Sequence, residues 1–283
     1  MSAAKLLNGR EVAERHAREL ERTLAGLAET GVRLCLATLQ VGRAEDTELY
    51  ARSIERLLKR LQIDRIASIS PLDVGEDELA EKIELFNSDP TVTGILLFAP
   101  LPARLNTPRI LNAIDPLKDV EGRRLFCASG ASKVLSPTAL AVGELIAETG
   151  RSIAGLEAVV IGHSDVVGKP AAILLMDKFA TVTVCHVKTR DLEAHVRRAD
   201  IVVAAAGKAG LVKGEWIRPG AIVVDVGENV VAGKLVGDVE FEEAARRAAF
   251  ISPVPGGVGP LTNLMLVHNL LSLQRLRTAR SGA

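Results

Sequence analysis

The chain has 283 residues, 48% of them hydrophobic and 25% charged, which is a globular composition and length enough for about two domains. Lysine plus arginine equals aspartate plus glutamate at 35 each, so no net field draws the protein to nucleic acid or to an anionic membrane, and small ligands are the expected partners. One Trp, one Tyr and six Phe leave few rings for stacking on bases, and the core must be built from Leu, Val, Ile and Ala.

Cys35, Cys127 and Cys185 lie in or near apolar stretches without C-x-x-C spacing, which reads as reduced core thiols in a cytoplasmic protein rather than a disulfide frame or a zinc site. Lys5, Arg10, Glu11, Glu14 and Arg15 interrupt the apolar positions near the start, so neither a signal peptide nor a spanning helix is expected there.

In chain order, Glu11 to Leu27 has the spacing of an amphipathic helix and Arg33 to Val41 reads as a strand ending at Gly42. A helix over Glu45 to Leu61, a strand over Ile66 to Ile69, a helix over Glu76 to Phe86 and a strand over Gly94 to Phe98 follow, the last stopped by Ala99-Pro100-Leu101-Pro102. Such alternation predicts a parallel sheet. After Thr107 to Ile114, the run DPLKDVEG from Asp115 to Gly122 is turn-rich, and Arg123 to Lys133 has no clear period and reads as a surface loop. Ser136-Pro137 opens a helix running through Glu148.

The stretch Ala158 to Leu175, AVVIGHSDVVGKPAAILL, then carries a buried strand, a turn bracketed by Gly162 and Gly168, and a helix over Ala171 to Met176. A junction of this kind aims free backbone N–H groups and a helix dipole at whatever lies above the strand, a place that suits phosphate. The spacing is not G-x-G-x-x-G, so a plain tight turn is the competing reading. Strands at Thr181 to Cys185, Ile201 to Ala205 and Ala221 to Val226, with helices at Leu192 to Arg198 and Phe241 to Ala248, give the second half the pattern of a doubly wound nucleotide domain. A proline-glycine loop and a long apolar helix, within Ile251 to Leu271, end the fold and are expected to pack back on the first domain. The predicted class is α/β with two domains: residues 1–136 plus 262–283 on the substrate side, and a Rossmann-type nucleotide domain over residues 137–261.

The loop Pro253-Val254-Pro255-Gly256-Gly257-Val258-Gly259-Pro260 presents a bare backbone that a flat ligand can approach closely. Together with GHSDVVGKP, TVTVCH, ADIVVAAAGK, GAIVVDVG and LVGDV in the second half, and VGRAEDTELY, GILLFAPLP and PLKDVEG in the first, it closely resembles the methylenetetrahydrofolate dehydrogenase/cyclohydrolase family over nearly the whole chain. That resemblance implies a homodimer of two-domain subunits, with a tetrahydrofolate derivative in the cleft between domains and a nicotinamide cofactor on the second domain.

Family members generally carry Tyr-x-x-x-Lys on the second helix, Gln in a G-I-L-V-Q-L-P-L-P strand end, and Asp in K-D-V-D-G; the lysine is associated with the cyclohydrolase step. The matching positions here are Tyr50, Ile54, Phe98 and Glu121. Tyrosine is kept, lysine and glutamine are lost, and the aspartate is longer by one methylene. Arg52, Arg56 and Lys59 lie roughly 200°, 240° and 180° around the helix from Tyr50, so none replaces the lysine without a register shift. Hydride transfer to a nicotinamide depends largely on positioning, whereas hydrolysis of the methenyl product needs a group that moves a proton, which Ile54 and Phe98 cannot do. The expectation is a dehydrogenase with weak or absent cyclohydrolase activity, with Tyr50, Glu121, Pro255, Gly256 and Gly257 on the substrate.

The strand end Cys185-His186-Val187-Lys188-Thr189-Arg190 is basic where an NAD enzyme usually carries an acid, which favours NADP with NAD possible. Against this, the family's G-R-S is Gly162-His163-Ser164 and the serine common after C-H is Val187; His163 binds phosphate when protonated. Gly162, His163, Ser164, Val187, Lys188, Gly207, Asp225 and Gly227 are the expected cofactor residues, and no metal is expected. Cys127 and Cys185 read as inert, His186 as a support of its strand end, and His16, His195 and His268 as ordinary helix residues. Two alternatives stand beside the leading one. In the first, Lys118 or Lys133 substitutes for the lost lysine in a bifunctional enzyme; in the second, the chain is a non-catalytic or altered-substrate paralogue that keeps the nucleotide domain.

Overall fold

The computed structural model describes residues 4–123 and 134–281. The chain divides into two compact units, Met1–Arg15 with Ser136–Met265 and His16–Leu135 with Leu266–Ala283. In chain order the elements are β1 (Lys5–Leu6), α1 (Gly9–Glu29), β2 (Cys35–Val41), α2 (Glu45–Arg60), β3 (Asp64–Ser70), α3 (Glu76–Ser88), β4 (Gly94–Leu97) and α4 (Thr107–Ala113). There follow α5 (Pro137–Ala147), β5 (Glu157–Ile161), α6 (Gly168–Asp177), β6 (Thr181–Cys185), α7 (Leu192–Arg198), β7 (Ile201–Ala204) and β8 (Ile222–Asp225). The chain closes with β9 (Asn229–Val231), β10 (Lys234–Val236), α8 (Phe241–Ala245), β11 (Phe250–Ile251) and α9 (Gly259–Ser281).

In the unit built from His16–Leu135, β3, β2 and β4 form a three-stranded sheet in that order, both pairings parallel, with β2 central. Central position explains the burial of β2, which is covered on both faces: Leu36, Ala37 and Leu39 are fully buried, and the polar Thr38 and Gln40 nearly so. Leu79 and Ile83 of α3 and Ile110 of α4 pack on one face of this sheet with Ile95 and Leu97. The second half of α9 belongs to the same unit, where Asn269 donates from Nδ2 to the carbonyls of Val120 and Leu135, each at 2.8 Å. A buried amide in a helix otherwise rich in leucine thus ties the turn after Asp119 in place.

The other unit carries a six-stranded sheet in the order β1-β11-β8-β7-β5-β6, every pairing parallel. Its strands β7 and β8 are buried throughout, as expected of a doubly wound domain. Helix starts follow the sequence signals: Asn106, Ser136 and Asp191 accept from the backbone N–H of Arg109, Ala139 and Ala194 at 3.1, 3.2 and 3.2 Å. No helix among the described residues is long and apolar enough to cross a membrane.

Four features depart from the sequence expectation. Residues Met1–Arg15 lie with the nucleotide unit rather than the substrate unit, because β1 pairs with β11 through Lys5 opposite Phe250 and Leu6 opposite Ile251. Two-residue strands have no period to detect. The β9–β10 hairpin was not expected either; its turn uses Ala232 and Gly233 with φ of 49° and 75°, the left-handed pair that tight hairpins need. The helix anticipated from Ala171 begins at Gly168, and the one anticipated to Ala248 ends at Ala245. Cys127 and Lys133 lie outside the described residues.

Candidate active site

The carboxyl ends of β5, β6 and β7 surround a cavity of about 510 Å3 lined by Gly162, His163, Ser164, His186, Val187 and Lys208 among others. Gly162 has φ +117°, and a Cβ there would lie 2.1 Å from the carbonyl oxygen of Ala205; one on Gly168 would lie 2.1 Å from that of Gly162. Only glycine permits the strand, the turn and α6 to approach this closely. Ser164 Oγ closes the turn by accepting from the N–H groups of Val167 and Gly168 at 3.2 and 3.4 Å. The His163 and His186 rings sit 5.3 Å apart, and His186 Nδ1 accepts from the N–H of Lys188 at 3.2 Å. No lining residue is acidic, so the wall that would meet a cofactor ribose offers only neutral or basic groups.

Beside this cavity two carboxylates lock the crest of the sheet. Asp238 is fully buried, and its Oδ2 accepts from Ala206 N–H (2.6 Å) and Gly207 N–H (2.9 Å). Its Oδ1 accepts from Lys208 N–H (2.7 Å) and Asn229 Nδ2 (2.9 Å). Asp225 accepts in turn from the N–H groups of Gly227, Asp238 and Val239 at 2.9, 3.0 and 2.8 Å. Burial pushes the Asp225 carboxyl up to about 6, against the pull of those hydrogen bonds. Asp225 therefore braces the loop with the groups expected of it for a ligand, while Asp238, which sequence reasoning passed over inside LVGDV, is the organising residue. Lys188 and Gly207 do not line the cavity. Pro255, Gly256 and Gly257 belong to this same unit, where the Gly256 carbonyl accepts from Gly9 N–H at 2.9 Å at the start of α1.

The first-half motifs converge in the other unit. Tyr50 packs edge-on against Phe98, with ring centroids 5.6 Å apart and planes at 88°. One turn further along α2, Ile54 is 1% exposed, while Arg52, Arg56 and Lys59 are exposed and Lys59 pairs with Glu55 at 2.8 Å. The helical geometry thus excludes the three basic neighbours as substitutes, as the angular spacing implies. Lys118 is excluded too: its ammonium donates to the carbonyls of Phe86, Asn87 and Asp89 at 2.8, 2.7 and 2.7 Å, capping the end of α3. This corrects the alternative in which Lys118 replaces the lost lysine.

Glu121 is the titratable group of this wall. The carboxylate of Asp119 accepts from the N–H groups of Glu121, Gly122 and Arg123 at 3.2, 3.1 and 3.1 Å, folding the loop into a turn that buries the Glu121 side chain. Arg123, which sequence reasoning left in an unassigned loop, bonds both Glu121 oxygens through one terminal nitrogen at 2.8 and 2.7 Å. Burial nevertheless dominates and pushes the Glu121 carboxyl up to about 7, with Arg123 pulling it down and Asp119 adding to the rise. Burial, seconded by Glu121, also raises the Tyr50 phenol, which stays protonated and is a donor at neutral pH.

A pH dependence of stability follows. The unfolded carboxyl titrates near 4.5 and the folded one near 7, so the folded state holds the extra proton between those values. Its contribution is complete below the unfolded value and is lost as pH rises through about 7. Glu121→Gln removes this slope, and thermal melts at pH 5 and pH 8 are expected to show the variant losing less stability across the interval, by on the order of 1–3 kcal/mol. Equal slopes in the two proteins would contradict the assignment.

The family described as "Tetrahydrofolate dehydrogenase/cyclohydrolase, catalytic domain" matches residues 7–121, and "Tetrahydrofolate dehydrogenase/cyclohydrolase, NAD(P)-binding domain" matches residues 136–278. Bifunctional protein FolD 2 of Geobacter sulfurreducens is 42% identical over 284 aligned residues, covering 99% of each chain. The bifunctional FolD enzyme of Campylobacter jejuni superposes with a TM-score of 0.91 at 36% identity, covering 97% of this chain and 100% of that one. The Trypanosoma brucei methylenetetrahydrofolate dehydrogenase-cyclohydrolase, solved with NADP cofactor and inhibitor, gives 0.91 at 37% identity, covering 99% and 100%. This chain belongs to the tetrahydrofolate dehydrogenase/cyclohydrolase family.

Proposed function

We propose that the protein oxidises 5,10-methylenetetrahydrofolate to 5,10-methenyltetrahydrofolate with NADP+ and hydrolyses the product weakly or not at all. The observation that carries the second clause is Ile54, a buried aliphatic side chain one helical turn from Tyr50, at the position where family members generally hold the hydrolytic lysine. When bound, the nicotinamide supplies the hydride acceptor. The chain's own residues do the rest: Tyr50, Phe98 and Ile54 form a dry wall that excludes water, and Glu121 offers carboxylate oxygens to the N–H groups of the pterin. Tyr50 keeps its proton and Phe98 carries no basic atom, so neither takes a proton from water.

The nucleotide cavity fits NADP better than NAD. His163, His186 and Lys208 supply positive or protonatable groups, and the carboxylate that would hold a ribose 2′-hydroxyl is missing from the lining. The Trypanosoma brucei relative, solved with NADP, supports the same choice. Homodimeric assembly and a cytoplasmic location belong to this reading, supported by the family motifs and by reduced, buried Cys35 and Cys185.

A second reading has one observation in its favour: a carboxyl that titrates near neutrality, Glu121, is a group able to accept a proton from water. In that bifunctional enzyme, hydrolysis follows the Glu121 titration and disappears in Glu121→Gln. The discriminating experiment follows NADPH and the methenyl product separately in one reaction against a protein-free control.

A further inference from the structure

The Glu121–Arg123 pair leaves one group over. The Arg123 side chain is only 10% exposed, its backbone N–H is fixed by Asp119, and one of its terminal nitrogens, Nη2, is committed to Glu121. Its Nε is buried and has no hydrogen-bond partner among the described residues. Leaving such a donor unmade costs about 1–3 kcal/mol, more for a charged group, so its persistence in a site points to an acceptor brought by the ligand. The Glu121 oxygens, each accepting one bond from Arg123, retain further lone pairs. The pair therefore offers two acceptors and one charged donor. The 2-amino-4-oxo edge of a reduced pterin presents the complement: N–H donors on the amino group and on N3, and a carbonyl acceptor beside them.

Resting on the folate reading above, we infer that Arg123 is a substrate-contacting residue that completes pterin recognition with Glu121, its Nε donating to the ring carbonyl while Glu121 accepts from the 2-amino group and from N3–H. Arg123 has a second role as the positioning cation. Among the described residues, Arg123 and Asp119 of its own loop bear on Glu121, and Glu121 and Arg123 bear on Tyr50 of α2, so Arg123 is the cation common to both. Lys118, three residues before Glu121, spends its charge on the carbonyls at the end of α3. With Ile at position 54, the charge that keeps Glu121 an acceptor at neutral pH comes from Arg123.

The test is calorimetric binding of tetrahydrofolate to the full chain, without turnover, from pH 5.5 to 8.5. Relative to wild type, Arg123→Gln is expected to weaken binding at pH 7.5 at least tenfold and to move the acid limb of the affinity profile to higher pH. Arg123→Lys restores the position of that limb through its charge while remaining several-fold weaker, because it lacks the Nε donor. NADP+ affinity, measured on the same samples, stays at the wild-type value and shows that the variants fold. An Arg123→Gln protein with wild-type tetrahydrofolate affinity and an unmoved limb overturns the inference. An acid limb that stays unmoved in Arg123→Gln, or one displaced as far in Arg123→Lys as in Arg123→Gln, overturns the positioning role. Wild-type protein that binds NADP+ but no tetrahydrofolate at any pH overturns the folate reading, and this inference with it.

Discussion

Replacing Ile54 by Lys and Phe98 by Gln together is expected to raise hydrolysis of 5,10-methenyltetrahydrofolate on the order of 10²–10⁴-fold, the range that a positioned acid-base group contributes. Tyr50 and position 54 share one face of α2, so the new ammonium enters beside the phenol, which already feels the Glu121–Arg123 pair. Ile54 is 1% exposed, and a lysine held in such a place has its pKa lowered by desolvation, which suits proton transfer near neutrality. The same burial costs stability. Ile54→Met is the control of similar length without charge, and it should stay at the wild-type hydrolysis rate. A folded double variant that binds tetrahydrofolate yet hydrolyses no faster than Ile54→Met would show that the deficit lies elsewhere.

The second large effect is expected at Asp238. Four donors converge on its two oxygens, two on each, from Ala206, Gly207, Lys208 and Asn229. Asp238→Ala strands them and is expected to cost about 3 kcal/mol or more, a fall in melting temperature of about 6–12 °C for a chain of this size. NADP+ affinity should fall with it, because Ala206 and Lys208 line the nucleotide cavity. Asp238→Asn is the informative comparison. Its amide presents N–H groups to two of the four donors, so it should be nearly as damaging as alanine, whereas a role of simple space-filling would leave it close to wild type. Differential scanning calorimetry with and without NADP+ separates these outcomes.

Much of this was legible in the sequence where it rested on periodicity. Every strand of the three-stranded sheet, and β5 to β8 of the larger one, showed in the sequence: β4, β7 and β8 as apolar runs because both their faces are covered, and the more exposed edge strands β3 and β6 by their β-branched residues. The site motifs were legible as well, since Tyr50 and Ile54 share a helix face at any orientation of the rest. What stayed hidden was made by residues distant in sequence. Asp238 becomes a hub only when the hairpin of β9 and β10 returns its loop to the end of β7, and Asn269 reaches Val120 from a helix 149 residues away. Arg123 lay at the edge of an aperiodic loop, and only the fold of the Asp119 turn lays it against Glu121. Lys118 shows the converse: close in sequence to the pterin motif, it points its charge at α3.

The most direct measurement is an absorbance time course of purified protein with 5,10-methylenetetrahydrofolate and NADP+ at neutral pH, following NADPH and the methenyl product separately against a protein-free control and repeated with NAD+. The account predicts that NADPH and methenyl rise together and that methenyl then decays no faster than in the control. NADPH formation with methenyl cleared faster than the control would contradict the reading of Ile54 and turn attention to Glu121. Neither product with either nucleotide would contradict the dehydrogenase itself.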